Sequence, residues 1–127
     1  MDADEKTLKA IELVQVRLKM MADLGVRGII FHLAISAFSI TFAFQKTTVP
    51  RAVVQTGNTM ISVLALVATI LVVNDAEKLR RRIVDWHDDL GLKIAKDEGR
   101  GVIRVGQLYM LVCAMLVAFW IGLFFVP

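Results

Sequence analysis

The sequence predicts an all-α integral membrane protein with three transmembrane helices and two cytoplasmic amphipathic helices. The chain contains three apolar runs of about 20 residues, the length of helix that crosses a hydrocarbon core of about 30 Å. No aspartate or glutamate lies within these runs, although 21% of the residues are charged. The remainder of a 127-residue chain is too short to cover three such helices in a soluble core. We therefore expect a single membrane domain over residues 1–127.

The predicted segments begin and end where charged and turn-forming residues interrupt the apolar runs. In chain order they are a cytoplasmic amphipathic helix over residues 4–24, a first span over 26–45, an external loop over 46–51, a second span over 52–73, a cytoplasmic amphipathic helix over 75–98 and a third span over 105–126. Residues 1–9 are acidic and polar, unlike a cleavable signal peptide, so the first span is expected to act as an uncleaved anchor.

The distribution of lysine and arginine predicts the orientation. Five lysine and arginine residues precede the body of the first span, two lie within residues 46–51, and eight lie between residues 74 and 104. No lysine or arginine follows Arg104. Basic residues are retained on the cytoplasmic side of a membrane. This pattern predicts a plasma or inner membrane protein with a cytoplasmic N-terminus and an external C-terminus.

The two amphipathic segments show the three- and four-residue spacing of helices. Ile11 and Leu18 belong to an apolar stripe in the first segment, and Leu79, Ile83 and Trp86 to one in the second. Asn74, three residues before Glu77, resembles a capping box and predicts that a new helix starts there.

Two arrangements of these cytoplasmic helices fit the sequence. They could lie flat at the lipid interface, with Trp86 at headgroup depth and Arg80, Arg81 and Arg82 facing anionic lipid. Alternatively, they pack on each other or on neighbouring copies as a helical collar, which their mixed charge favours.

Polar side chains recur on one face of the first span and on one face of the second. They are His32, Ser36 and Ser39 in the first span and Gln55, Asn58, Ser62 and Thr69 in the second. Unpaired polar groups are costly in lipid, so both faces should turn away from it. Such faces either bond across helix interfaces or line a water-filled path through an oligomer. The sequence favours helix packing for His32, the serines and Thr69, and leaves both interpretations open for Gln55 and Asn58.

The third span carries small residues every four positions. The stripe that predicts tight helix packing consists of Gly106, Ala114, Ala118 and Gly122. Two aromatic residues of the same span, Tyr109 and Trp120, are candidate interfacial anchors.

The sequence shows no motif of an enzyme, a metal site or a cofactor site. The spans lack carboxylates for proton relay, and the two histidines, His32 and His87, are at different depths, which argues against haem. Asp85, Asp88 and Asp89 are expected on a solvated helix face. A net charge of +3 is too small to indicate nucleic-acid binding. We therefore predict a non-enzymatic protein without cofactors.

Two functions remain for such a protein, whose partners are the lipid bilayer and either copies of itself or a larger membrane protein. The sequence favours the first, a homo-oligomeric pore or channel with the polar face of the second span lining the path. The second is a non-conducting accessory, assembly or regulatory subunit of a larger membrane complex. Oligomeric state distinguishes them, because a pore needs copies of itself.

Overall fold

Three long α-helices make up the fold. In the computed structural model, which describes residues 2–45, 49–91 and 100–127, these are α1 (Ala3–Phe44), α2 (Arg51–Asp89) and α3 (Arg100–Gly122), followed by a 3₁₀ turn at Leu123–Phe125. Each helix is long and apolar enough to cross a membrane. The prediction of an all-helical chain with three candidate membrane spans is confirmed.

Local signals define the helix ends. The Asp2 carboxylate accepts a hydrogen bond from the backbone N–H of Ala3 at 2.7 Å and so caps the start of α1. Pro50 precedes α2, where its fixed φ suits a helix start. After α2, Gly91 adopts a φ of +65°, a left-handed conformation that glycine accepts without steric cost.

The first two helices are longer than a membrane is thick. At about 1.5 Å per residue, the 42 residues of α1 and the 39 of α2 are each roughly 60 Å long, twice the thickness of a hydrocarbon core. The segments predicted over residues 4–24 and 26–45 form one continuous helix. Asn74 lies inside α2, so the prediction that a helix starts there is wrong.

The boundaries of the second predicted amphipathic segment also differ. Residues 75–89 continue α2 without a break, and the helix ends at Asp89. The remainder of that predicted helix, residues 92–98, lies outside the described residues, as do residues 46–48 of the predicted loop. We call residues 3–24 and 74–89 together the extension. The end of the bundle nearest to it is the extension end, and the opposite end is the far end.

The two halves of the extension pack against each other. Their shared apolar cluster is formed by Ile11, Leu18, Ala76, Leu79, Ile83 and, from α3, Val102. Arg17 of α1 forms an ion pair with Asp75 of α2 at 3.5 Å, and Trp86 packs against the cluster. Arg80 and Arg81 each pair with Glu77 on their own helix, whereas Arg82 is exposed. The apolar stripes are thus covered by protein within one chain.

Glycines allow close helix contact at the base of the extension. A Cβ added at Gly106 would collide with the side chain of Val73, and one added at Gly25 would lie 2.8 Å from Cγ1 of Val105. The other small residues of the predicted α3 stripe behave differently, since Ala114, Ala118 and Gly122 are exposed on the outside of the bundle.

Candidate functional site

Three side chains, one from each helix, meet inside the bundle. His32 of α1 lies between Ser62 of α2 and Cys113 of α3, with Nε2 3.0 Å from the Ser62 Oγ and Nδ1 3.8 Å from the Cys113 Sγ. Ser62 and Cys113 are completely buried, and His32 is 4% exposed. We call these three residues the His–Ser–Cys cluster.

The two contacts of His32 give each ring nitrogen a neutral partner. A neutral imidazole has one N–H donor and one acceptor nitrogen. In one tautomer the Cys113 S–H donates to Nδ1 and the Nε2–H donates to the Ser62 Oγ, and in the other tautomer both directions are reversed. Either arrangement satisfies both ring nitrogens without a charge, which suits a polar side chain in an apolar interior.

An aromatic ring closes the cluster toward the extension end. Tyr109, one turn before Cys113 on α3, contacts His32 edge to face, with ring centroids 6.0 Å apart at 79°. Gly28 makes room for this ring, because a Cβ there would lie 3.1 Å from Cε1 of Tyr109. Tyr109 therefore lies inside the bundle, and its expected role as an interfacial anchor is not supported.

The other predicted polar residues also lie mostly within the bundle. Asn58 donates from Nδ2 to the Val54 carbonyl at 2.9 Å, and Thr69 donates to the Ala65 carbonyl at 2.6 Å. Both bonds stay within α2.

Two further buried residues retain unpaired atoms. Ser36 and Gln55 are 2% and 3% exposed, and neither the Ser36 Oγ nor the Gln55 Nε2 has a hydrogen-bond partner among the described residues. Ser39 is partly exposed. The polar faces of α1 and α2 thus lie largely buried within a single chain.

At the far end of the bundle, Trp120 and Arg51 form contacts that join neighbouring elements. Trp120 is fully buried and packs with Ala43 and Leu123, so it does not serve as the interfacial anchor expected from the sequence. Arg51, at the start of α2, donates from Nη2 to the Leu123 carbonyl at 3.0 Å. Its guanidinium also lies 5.1 Å from the centroid of the Phe44 ring, within range of a cation–π contact.

An apolar cavity of about 300 Å³ lies between the three helices near the base of the extension. Its wall includes Met21 from α1, Ala68 and Thr69 from α2, and Gly106 and Tyr109 from α3. Because Tyr109 also contacts His32, this ring separates the cavity from the His–Ser–Cys cluster.

Comparison with known protein families, curated proteins and solved structures found no match to this chain.

The described residues contain no group of three or more His, Cys, Asp or Glu side chains that could hold a metal ion. His32 and Cys113 are a pair rather than such a group. Sequence reasoning identified His32 and Ser62 but missed Cys113 and Tyr109. Their four-residue spacing places the latter two on one face of α3, but that spacing does not show that the face meets His32.

Proposed function

We propose that this chain is a non-enzymatic, non-conducting accessory or assembly subunit of a larger membrane complex. The observation that carries the proposal is the burial of the polar faces within one chain. A pore lined by α2 would need Gln55 and Asn58 to face an axis shared between copies, yet they are only 3% and 7% exposed in the isolated chain. Copies that associate through their outer surfaces would not bring these amides to a common path.

The outer surface supports a docking role. Ala114, Ala118 and Gly122 are exposed along α3, and small residues at this spacing allow a second helix to approach closely. The remainder of the lateral surface is rich in large apolar side chains such as Phe31, Leu64 and Met115, which suit contact with lipid. We infer that a partner helix packs along this α3 stripe while lipid covers the other faces.

The charge distribution supports an orientation for this subunit. The extension and the start of α3 carry most of the basic residues, so we place the extension in the cytoplasm and the far end outside a plasma or inner membrane. The extension then offers its charged outer surface to cytoplasmic parts of the same complex.

The competing proposal is the homo-oligomeric pore. Unpaired polar atoms on Ser36 and Gln55 support it, because buried polar groups usually find a partner or a water. Such a path would have to open between the helices of each chain, since the outer faces of the helices are apolar.

Mass measurement of the protein in native-like lipid separates the two proposals. Expressed alone, an accessory subunit is expected as a monomer, with higher-mass complexes appearing only when a second membrane protein co-purifies. A defined homo-oligomer of four or more copies would contradict the accessory role.

Bilayer recordings of wild type and Asn58→Leu complete this test. If the chain does not conduct, both proteins give the same background current. A wild-type conductance that the Asn58→Leu substitution alters would assign Asn58 to a conducting path and overturn the proposal. Thr56→Leu, a substitution at an exposed position of the same helix, is the matched control.

A further inference from the structure

The His–Ser–Cys cluster has the composition of a binding site for a soft monovalent metal ion. We propose that His32 and Cys113 bind one Cu(I) or Ag(I) ion between Nδ1 and Sγ, with Ser62 holding the imidazole in place. Thiolate sulfur and imidazole nitrogen are ligands that soft metal ions prefer. This proposal stands independently of the accessory role.

The distance between the two ligand atoms fits an ion placed between them. Bonds of the lengths that zinc forms, about 2.3 Å to thiolate sulfur and 2.0 Å to imidazole nitrogen, would place the two ligand atoms about 4.3 Å apart in a linear arrangement, and the larger Ag(I) ion would place them farther apart. The Nδ1 and Sγ atoms are 3.8 Å apart. Binding therefore requires them to separate by at least about half an ångström.

Ser62 supplies the supporting contact that metal-binding histidines usually have. A ligand histidine commonly donates its second ring N–H to a neighbouring acceptor, which fixes both the tautomer and the ring orientation. Here Nε2 lies 3.0 Å from the Ser62 Oγ, and in the tautomer in which Nε2 donates to Ser62 the lone pair of Nδ1 faces Cys113. The positions of the two ligand atoms are thus compatible with metal binding in that tautomer.

Charge selects a monovalent ion. On binding, the Cys113 thiol loses its proton to solvent, and the thiolate, the neutral imidazole and a +1 ion sum to zero charge. A divalent ion would leave a net positive charge in an apolar interior, where an uncompensated charge is very costly. The sequence has no carboxylate between Asp23 and Asp75 or after Glu98 that could neutralise it.

The apolar cavity lies next to the cluster, with the Tyr109 ring between them. It lies between the three helices near the base of the extension and ends at Tyr109, whose ring contacts His32. Met21, in the cavity wall, offers a thioether, another soft ligand. An ion in this cavity would still be separated from Cys113 by the Tyr109 ring.

The test is metal retention by the purified protein in detergent. After incubation with Ag(I), or with Cu(I) under reducing conditions and a competing chelator, desalting and elemental analysis should show one ion per chain. We expect Cys113→Ser and His32→Gln each to lower affinity by at least 100-fold. Ser62→Ala should lower it by about 10- to 100-fold, the usual effect of removing a partner of a ligand histidine.

Matched controls use the same residue types outside the cluster. His87→Gln removes the other histidine, whose Nδ1 lies 2.8 Å from the Ile83 carbonyl in the extension, and Met115→Leu removes an exposed sulfur from α3. Both variants should retain one ion with wild-type affinity. Loss of the ion in either control would overturn the assignment to His32 and Cys113.

X-ray absorption of the silver- or copper-loaded wild type keeps the proposal testable even if a cluster variant does not fold. It should show one sulfur and one nitrogen neighbour. A wild-type protein that folds but retains no ion would show that the cluster is only a hydrogen-bonded packing contact. Two sulfur neighbours, or Zn²⁺ bound as tightly as Ag(I), would equally refute the proposal.

Discussion

His32 contacts side chains on both of the other helices, and Ser62 is the neighbour that forms the shorter contact. Hydrogen bonds between helices within membranes contribute about 0.6 kcal/mol on average, with a maximum of about 1.7 kcal/mol. The contribution is modest because, in the membrane, the unfolded chain also finds partners for its polar groups. The His32–Ser62 contact should therefore stabilise the bundle measurably without being essential for folding.

Ser62→Ala should lower the free energy of unfolding by about 0.6 to 1.7 kcal/mol, because it removes a bond between α1 and α2. Titration of the refolded protein with a denaturing detergent, followed by circular dichroism, measures this loss. Thr59→Ala is the control, since the Thr59 hydroxyl bonds to the Gln55 carbonyl within α2. Equal losses in both variants would show that the bond between helices contributes nothing.

Gly106→Leu should destabilise the bundle by about 1 to 3 kcal/mol, the usual cost of overpacking a close contact. The added side chain would meet Val73 across the α2–α3 contact. Gly57→Leu, where a Cβ meets nothing within 4 Å, should leave stability nearly unchanged. The same detergent titration compares the two variants, and a Gly106→Leu protein as stable as Gly57→Leu would contradict the close approach.

For individual residues, the sequence predicts which side chains turn away from lipid but not which side chains contact each other. The cost of unpaired polar groups is a property of each residue, so the inward orientation of His32 and Gln55 follows from their chemistry and spacing. The contact between His32 and Cys113, which lie 81 residues apart in the sequence, depends on the relative rotation and depth of their two helices. Spacing within one helix carries no information about either quantity.

The packing of the extension is a property of whole elements. Ile83 is 2% exposed within the cluster that joins α1 and α2, so this cluster holds residues 3–24 against residues 74–89. Because the extension carries many charged residues, we expect that truncating a side chain in its apolar cluster costs about as much stability as it does in a water-soluble protein.

Ile83→Ala should destabilise the extension by about 2 to 5 kcal/mol, the usual cost of truncating a buried aliphatic side chain. Backbone amides near Ile11 and Leu18 should then exchange hydrogen faster, as hydrogen-exchange mass spectrometry would show. Arg82→Ala, at an exposed position, is expected to change stability by less than about 0.5 kcal/mol. Unchanged exchange in Ile83→Ala would mean that the two halves of the extension do not depend on this contact.

The sequence predicts helical structure throughout the extension but divides each long helix in two. Asn74 is a good capping residue and Gly25 a poor helix residue, so local preference favours a break at both positions. Packing overrides this preference. Gly25 allows close contact with Val105, and Ala76, two residues after Asn74, is fully buried in the cluster that joins α1 and α2. Such tertiary contacts are not encoded in local propensity.

For the whole molecule, the proposed accessory role makes the exposed stripe of α3 the expected contact surface for a partner helix. Ala118→Leu should prevent association with the partner helix without altering the stability of the isolated chain, because Ala118 is exposed. Co-purification with the partner and detergent titration measure the two effects separately. Thr56→Leu, which adds bulk to the exposed surface of α2, should leave association unchanged, and a loss of association in both variants would argue against a specific stripe.

The continuity of α1 and α2 has a mechanical consequence. Each is a single helix of roughly 60 Å, and the 16 residues of α2 between Asn58 and Asp75 include no glycine or proline at which this helix could bend. A displacement of the extension is therefore transmitted along α2 to Ser62 and the far end. A partner that binds to the extension would thus also change the packing around Ser62, between the three helices.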